Sequence, residues 1–253
     1  MSEETAFEVG RLYVPLKSIA DTLVASQKDV FVRLPALVGY WPMGIRDNAG
    51  NVSDHAGGGG FFAETGVCPT GYDGDSFTHI GNGTNYLSAS AAFGITGLET
   101  WVDSSIRGLT VGGWFMVDAG SGTARGIISK DGVSPQRGYG LTVDATNSVS
   151  FFMSGNGAAI FGVAGPAFPL LEWTFLVGRF IPSTEVAIFT NGDKATSTTA
   201  IPASQFVSSQ ALEIGRFLAN NTRIVHGKAR DVFICASALS DALIEEVRVT
   251  SVP

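Results

Sequence analysis

From Ala36 to the C-terminus the chain reads as short apolar or alternating runs separated by Gly, Asn, Asp and Ser. Period-two alternation over four to eight residues, bounded by turn formers, is the signature of half-buried β-strands. The pattern predicts strands at Val38–Pro42, Phe61–Ala63, Ser76–Ile80, Tyr86–Ser88, Leu109–Val117, Gly126–Ser129 and Tyr139–Val143. It predicts further strands at Val149–Met153, Ala159–Val163, Trp173–Phe180, Glu185–Thr190, Leu212–Gly215 and Lys228–Cys235. Asn191-Gly192 follows Val186-Ala-Ile-Phe-Thr190 and is a strong hairpin signal, because both residues tolerate the positive φ of a two-residue turn. Asp118-Ala-Gly-Ser-Gly122 and Asp144-Ala-Thr-Asn147 also join predicted strands, with side chains that can hydrogen-bond their own backbone.

The two ends read differently. Leu16, Ile19, Ala20, Leu23 and Val24 follow helical spacing behind Pro15, a residue suited to a helix's first turn. So short a helix needs something to pack against. Two outcomes are open: it packs on its own domain, or it docks on a partner. For docking, Leu12, Val14, Leu16, Ile19, Leu23 and Val24 are the candidate interface residues. At the other end Ser240-Asp-Ala-Leu-Ile-Glu-Glu-Val247 predicts a one- or two-turn helix, with Ser240 as N-cap and Asp241 complementing the helix dipole. The expected organisation is an N-terminal arm over residues 1–34 and one β domain over residues 35–253. No repeat of 20 to 50 residues interrupts it, and Gly57–Gly60 is too short to divide domains.

Composition narrows the function classes. The chain has 253 residues, 45% of them hydrophobic and 15% charged, with 32 glycines. Such a chain buries a large core, and an all-β sandwich can use its whole length. Net charge is -7 and no basic cluster exists, which argues against nucleic-acid partners. No run of about 18 apolar residues appears, so no membrane insertion is expected. The first eight residues have neither the basic nor the apolar region of a signal peptide, so synthesis in a cytoplasm without standard export is expected. Two distant cysteines, Cys68 and Cys235, do not make a disulfide scaffold, and Cys235 sits in an apolar run as a buried small hydrophobe would.

Candidate chemistry is sparse. His55, His79 and His226 lie in no triad-like or metal-ligand motif. Gly57–Gly60 lacks the Lys-Ser/Thr of a phosphate loop. No cofactor is expected. Calcium is the one metal with a case: Asp47, Asn51 and Asp54 share one loop, and Asp73 and Asp75 another, and such loops supply the oxygens calcium takes. The same residues are also what bare turns need. Trp41, Trp114 and Trp173 fall in strand patterns and read as packing, whereas Trp101 reads as a loop residue able to stack on a sugar.

Read in order, several segments carry a resemblance. Leu37-Val-Gly-Tyr-Trp-Pro42 with Asp47-Asn-Ala-Gly-Asn51 and Gly57 resembles the opening of the laminin-G-like jelly rolls of the concanavalin A-like lectin/glucanase superfamily. Tyr86-Leu-Ser, Leu109-Thr-Val-Gly-Gly-Trp-Phe115, Ile127-Ile-Ser-Lys130 and Tyr139-Gly-Leu141 are similar to its next strands. Glu172-Trp173 through Phe189-Thr-Asn-Gly192 resembles its Trp-to-Asn-Gly hairpin. Leu212-Glu-Ile-Gly215, Gly227 through Ile234, and Ala238-Leu-Ser240 with Ile244 resemble its closing strands and helix. The resemblance spans roughly residues 36–250 and implies an all-β, two-sheet antiparallel jelly-roll sandwich. Two positions differ from the family's habit: Thr174-Phe175 stands where a histidine often follows the Trp, and Arg230 where an acidic residue often stands.

Retaining glucanases of the superfamily carry Glu-x-Asp-x-x-Glu, which puts two carboxylates about 5 to 5.5 Å apart on one strand face. This chain has no such motif. The expectation is therefore a non-enzymatic structural or interaction protein. Fold analogy and the missing export signal suggest a phage virion component, a capsid decoration or tail protein, located in the virion. Its expected partners are other virion proteins or copies of itself, and cell-surface glycan. The alternatives are a carbohydrate-binding adhesin module and a glycan-active enzyme.

Overall fold

The computed structural model describes residues 30–43, 51–56, 61–65, 70–72, 76–80, 86–89, 108–118, 123–206, 208–217 and 220–252. Strands are numbered in chain order. One sheet runs β14 (Asp193–Ser197), β13 (Glu185–Thr190), β12 (Thr174–Ile181), β7 (Leu109–Val117), β18 (Gly227–Cys235), β5 (Ser76–Ile80), β4 (Thr70–Tyr72), with β1 (Leu37–Trp41) also paired to β18. The other runs β11 (Phe161–Ala167), β10 (Ser148–Met153), β9 (Tyr139–Val143), β8 (Arg125–Lys130), β15 (Glu213–Ile214), β6 (Tyr86–Ala89), β3 (Phe61–Thr65), β2 (Val52–Ser53). The hairpin of β16 (Arg216–Phe217) and β17 (Asn220–Ile224) continues from β15 beside β8. This is the antiparallel two-sheet jelly roll that the family resemblance implies and with which the alternating runs agree.

Alternation sorts the side chains into two cores. Leu109, Val111, Phe115 and Val117 of β7 point between the sheets, with Leu176, Phe180, Val186, Ile188, Leu141, Phe151 and Trp41. The opposite parity builds a second core on the outer face of the first sheet. There Tyr40, Trp114, Phe175, Val177, Phe189, Phe233 and Cys235 are covered by Val30, Phe31 and Leu34 at one end and by Ile244 and Val247 at the other. Strands buried on both faces are why β7, β12 and β18 read as nearly continuous apolar runs. The inner face is tight: a Cβ at Gly178 would run into the Phe151 ring, so only glycine fits there.

The strand boundaries Ser76–Ile80, Leu109–Val117, Tyr139–Val143 and Glu185–Thr190 fall where the pattern puts them. The strands β2, β4, β14, β16 and β17 carry no alternating apolar signal and are not predicted by it. β14 (Asp-Lys-Ala-Thr-Ser) is a polar edge strand, which needs no buried face. β11 runs to Ala167, well past the predicted Val163, because an edge strand tolerates the missing N–H of Pro166. The C-terminal helix α1 spans Asp241–Thr250, a turn longer than predicted. Its N-cap is Ser240, which accepts from the Leu243 amide, and Ser251 closes its other end. No helix among the described residues is long and apolar enough to cross a membrane.

The described end of the N-terminal arm is part of this architecture. Phe31 stacks on Tyr40 with ring centroids 4.4 Å apart and lies 5.6 Å from Phe233. Beneath it, Tyr40 donates its hydroxyl to Asp231 Oδ1 at 2.7 Å, and Arg230 Nε donates to Asp231 Oδ2 at 2.9 Å. Asp231 has φ 49° and sits in the bulge that divides β18, with β5 paired before it and β1 after it.

Candidate ligand-binding cleft

The β13–β14 turn begins the site. Asn191 has φ 51° and Gly192 φ 99°, the left-handed pair the hairpin signal requires. Asn191 is locked to the neighbouring strand: its N–H donates to the Phe175 carbonyl at 2.9 Å, and its Oδ1 accepts from the Phe175 N–H at 2.8 Å. The turn therefore projects over the outer face of the sheet at a fixed height. Helix α1 lies against it. A Cβ on Gly192 would come within 3.3 Å of Glu245 Oε2 and 3.4 Å of Arg248 Nε.

Arg179 fixes the start of the helix. It stands in the apolar run of β12, 4% exposed, and its parity aims it at the helix side of the sheet. Its Nη1 donates to the Leu239 carbonyl at 2.7 Å and to Asp241 Oδ1 at 2.5 Å, and its Nε to Glu185 Oε1 at 3.1 Å. Lys194 closes the network, with Nζ 3.1 Å from Asp241 Oδ2 and 3.5 Å from Glu185 Oε2. Both cations also lie over the Phe189 ring, Arg179 at 5.0 Å and Lys194 at 5.5 Å from its centroid. Partial burial pushes the Asp241 carboxyl up, but hydrogen bonds from Arg179 and Lys194 outweigh this and hold it below the usual carboxylate range. One turn on, the hydrogen bond from Arg248 lowers Glu245 in the same way.

Between helix and hairpin these residues enclose a cavity of about 330 Å³. It is lined by the buried Phe175, Phe189 and Ile244, by Gly192 and Ala242, and by the charged Lys194, Asp241, Glu245 and Arg248. The cavity carries two cations and two carboxylates, so it is electrically balanced. Its apolar lining is almost wholly buried and its charged groups are already paired with one another.

Two further acidic groups among the described residues, Glu213 and Asp131, are tied up similarly. Glu213 is paired with Arg216, whose guanidinium lies 3.6 Å from the centroid of the Tyr86 ring. Asp131 accepts from Arg137 at 3.0 Å and from the Gly138 N–H at 2.9 Å, although burial still raises its carboxyl above the ordinary value. Glu185, Asp241, Glu245, Glu213 and Asp131 are thus each engaged by an arginine.

The candidates from the sequence fall as follows. Leu12, Val14, Leu16, Ile19, Leu23 and Val24 lie outside the described residues, as do Asp47, Asp73, Asp75, Cys68, Trp101 and most of the Asp118–Gly122 turn. Asp54 Oδ1 accepts from the Tyr40 and Ala56 amides at 2.9 and 2.8 Å, the work of a turn residue. Asp144 does the same for Thr146 and Ser148. Among the described residues no group of three or more His, Cys, Asp or Glu side chains is arranged to hold a metal. His55 and His226 are exposed, and His79 lies on β5 opposite Lys228. Trp41 and Trp114 are buried and Trp173 packs against the second core. Cys235 is free and buried, which pushes its thiol up. Sequence reading missed the cleft. One signal was visible: a charged Arg179 inside Phe175-Leu-Val-Gly-Arg-Phe-Ile181 demands buried acidic partners.

A family model described as the concanavalin A-like lectin/glucanases superfamily, of laminin-G type, matches residues 82–245, well over half of the chain. The chain belongs to this superfamily. A search of curated proteins finds no match. Among solved structures, the fold is similar to that of receptor-binding domains of botulinum neurotoxins. The binding domain of botulinum neurotoxin DC in complex with rat synaptotagmin II aligns with a TM-score of 0.66 at 12% identity, over 85% of this chain and 52% of that one. The same domain in complex with SialylT gives a TM-score of 0.65 at 12% identity, again over 85% and 52%. A structure titled for the dependence of botulinum neurotoxin type C cell entry on two ganglioside molecules gives 0.64 at 12% identity, over 84% and 51%. The chain thus spans about half the length of these structures. At such identity the likeness is one of fold.

Proposed function

We propose that this superfamily member is a non-enzymatic recognition module that binds glycan. The observation that carries the non-catalytic half is the pairing of carboxylates with arginine. Glycoside hydrolysis needs two carboxyl groups facing one another across a substrate. Here Glu185, Asp241, Glu213, Asp131, Asp231 and Glu245 each meet a guanidinium instead. The glycan half is supported by the superfamily and by neighbours whose titles name SialylT and gangliosides, alongside one naming synaptotagmin II. A glycan array probed with the intact chain tests it. Saturable binding to a defined set of glycans, with no release of product, is expected; a blank array with a folded protein, or turnover of a polysaccharide, overturns it.

In its finer form the reading makes the module a structural component of a phage particle, attached by the segment preceding residue 30. What motivates this is fold analogy, with Val30, Phe31 and Leu34 seated in the second core where the described part of the arm ends. Mass spectrometry of purified particles from the source tests it: the chain is expected in stoichiometric amount, and its absence refutes the particle role.

A further inference from the structure

We infer that the molecule pairs with a second copy of itself through the loop end of the sandwich that carries Val133 and Ile160. This does not depend on the glycan reading and adds to it a surface and a partner.

Three loops meet at that end. Residues 131–138 join β8 to β9, residues 154–160 join β10 to β11, and residues 198–212 join β14 to β15. Gly157 sits at their junction: a Cβ on it would lie 2.3 Å from the Pro135 carbonyl oxygen and 2.7 Å from the Phe206 ring. Hydrogen bonds lock the loops to one another. The Arg137 N–H donates to the Gly157 carbonyl at 2.9 Å, and the Phe206 N–H to the Ser154 carbonyl at 2.8 Å. The Ser209 N–H donates to Gln136 Oε1 at 3.0 Å. Asp131, 3% exposed, braces the first loop from inside by accepting from Arg137 and from the Gly138 N–H. A surface held in this way gives up little conformational freedom on docking.

On this braced base two aliphatic side chains stand in solvent, Val133 at 71% exposure and Ile160 at 48%. Ala158 and Ala159, next to Ile160, are exposed as well. Charge is missing around them. The stretches Ser154–Ile160 and Thr198–Leu212 contain no Asp, Glu, Lys or Arg, and Asp131 and Arg137 of the first loop are closed on each other. Apolar side chains in a setting depleted of charge are the make-up of the centre of a protein interface. The three loops together hold roughly the 20–30 residues that a standard interface uses on each side.

The charge on the rest of the molecule selects the partner. The chain carries a net charge of -7, so two copies repel one another, and least where neither presents charge. β14 separates the two ends of the sandwich: the Asn191-Gly192 turn precedes it and the 198–212 loop follows it. The exposed Asp118, Glu172 and Asp193 lie at the turn end, where β7 finishes and β12 and β14 begin. Pairing loop end to loop end sends these acidic groups outward, beyond the roughly 8–10 Å over which exposed charges act at moderate salt. A two-fold axis lets the same patch serve as both halves of the interface.

Sedimentation velocity on the full chain at rising concentration tests the pairing. A reversible dimer with a dissociation constant of about micromolar order is expected. Added salt should tighten it, because salt screens the repulsion between the two copies. The double variant Val133→Asp, Ile160→Asp is expected to raise the dissociation constant at least about tenfold, the effect of placing charge in an uncharged contact. Its melting temperature in dilute solution should match that of wild type, since both side chains stand outside the cores. Leu171→Asp, 65% exposed and next to Glu172 at the acidic end, is expected to leave the dimer intact. A monomer at every concentration up to about 1 mM overturns the pairing. If that monomer binds glycans on an array and the double variant does not, the loop end belongs to glycan instead. A dimer that survives in the folded double variant, or that Leu171→Asp dissolves, overturns the place. Should the Asp substitutions prevent folding, Val133→Ser with Ile160→Ser replaces them: a weakened dimer supports the place, and an unchanged one overturns it.

Discussion

Trp114, in the middle of β7, donates its indole Nε1–H to Oγ of Ser251 at 2.8 Å, and Ser251 Oγ in turn lies 2.6 Å from the Val247 carbonyl that it caps. A strand at the centre of the sheet is thereby tied to the last turn of the C-terminal helix. The helix buries only Ile244 and Val247, so polar ties of this kind decide where it sits. Ser251→Ala leaves a buried indole donor unpaired. It is expected to cost about 1–3 kcal/mol in urea unfolding, more than Trp114→Phe costs through the hydrogen bond alone. Equal stability of wild type and Ser251→Ala would show that the bond does not hold the helix.

Arg179 anchors the opposite end of the same helix. Arg179→Met leaves Glu185 and Asp241 with Lys194 as their remaining cation, and the expected loss is about 1–3 kcal/mol, below that of a fully buried pair because Lys194 still meets both and Asp241 is half exposed. A double-mutant cycle with Asp241→Asn measures the coupling. Strictly additive effects would contradict the network.

Acid is expected to loosen the helix. Asp241 and Glu245 both have native carboxyl values below the usual range. Groups depressed in the folded state contribute stability that is present above the unfolded value of about 3.9–4.3 and is lost as pH falls through the lower native values. The melting temperature should therefore fall below about pH 4, and the fall should be shallower in Asp241→Asn. A melting temperature unaffected by that substitution at every pH would contradict this.

The arm has a boundary that deletion can locate. Removing residues 1–29 is expected to leave the β domain folded, since Val30, Phe31 and Leu34 keep their places in the second core. Phe31→Ala empties a fully buried aromatic site against Tyr40 and Phe233 and should cost about 3–5 kcal/mol. Chemical denaturation of both variants separates the cases.

Gly178→Ala tests the inter-sheet packing. Its Cβ would press into the Phe151 ring, and overpacking of this sort costs about 1–3 kcal/mol. A stabilised variant would mean that the sheets can part.

Much of this was legible in the chain. The Asn191-Gly192 turn, the Asp144 loop, the N-cap of α1 and the central strands each follow from local chemistry: a residue that tolerates positive φ, a side chain that reaches its own backbone, a period of two. β14 and β17 were not legible, because an edge or half-covered strand of Asp, Lys, Asn and Thr has no apolar face to announce it. The cleft was not legible either. Arg179, Lys194, Glu245 and Arg248 come from three elements, and no local pattern relates them.

Residues alone dictated a chain of strands with buried faces, since alternating apolar positions must hide one side from water, and the family resemblance implied two facing antiparallel sheets. They did not dictate what would cover the outer face of the β14–β4 sheet. That was decided when the chain closed on itself. Helix α1 and the turn at residues 30–34 came down on Trp114, Phe175 and Phe233, and Asp241 of the helix found partners on β12 and β14. The reason is distance along the chain. Trp114 and Ser251 are 137 positions apart, and only the folded sheet brings them within reach of one hydrogen bond.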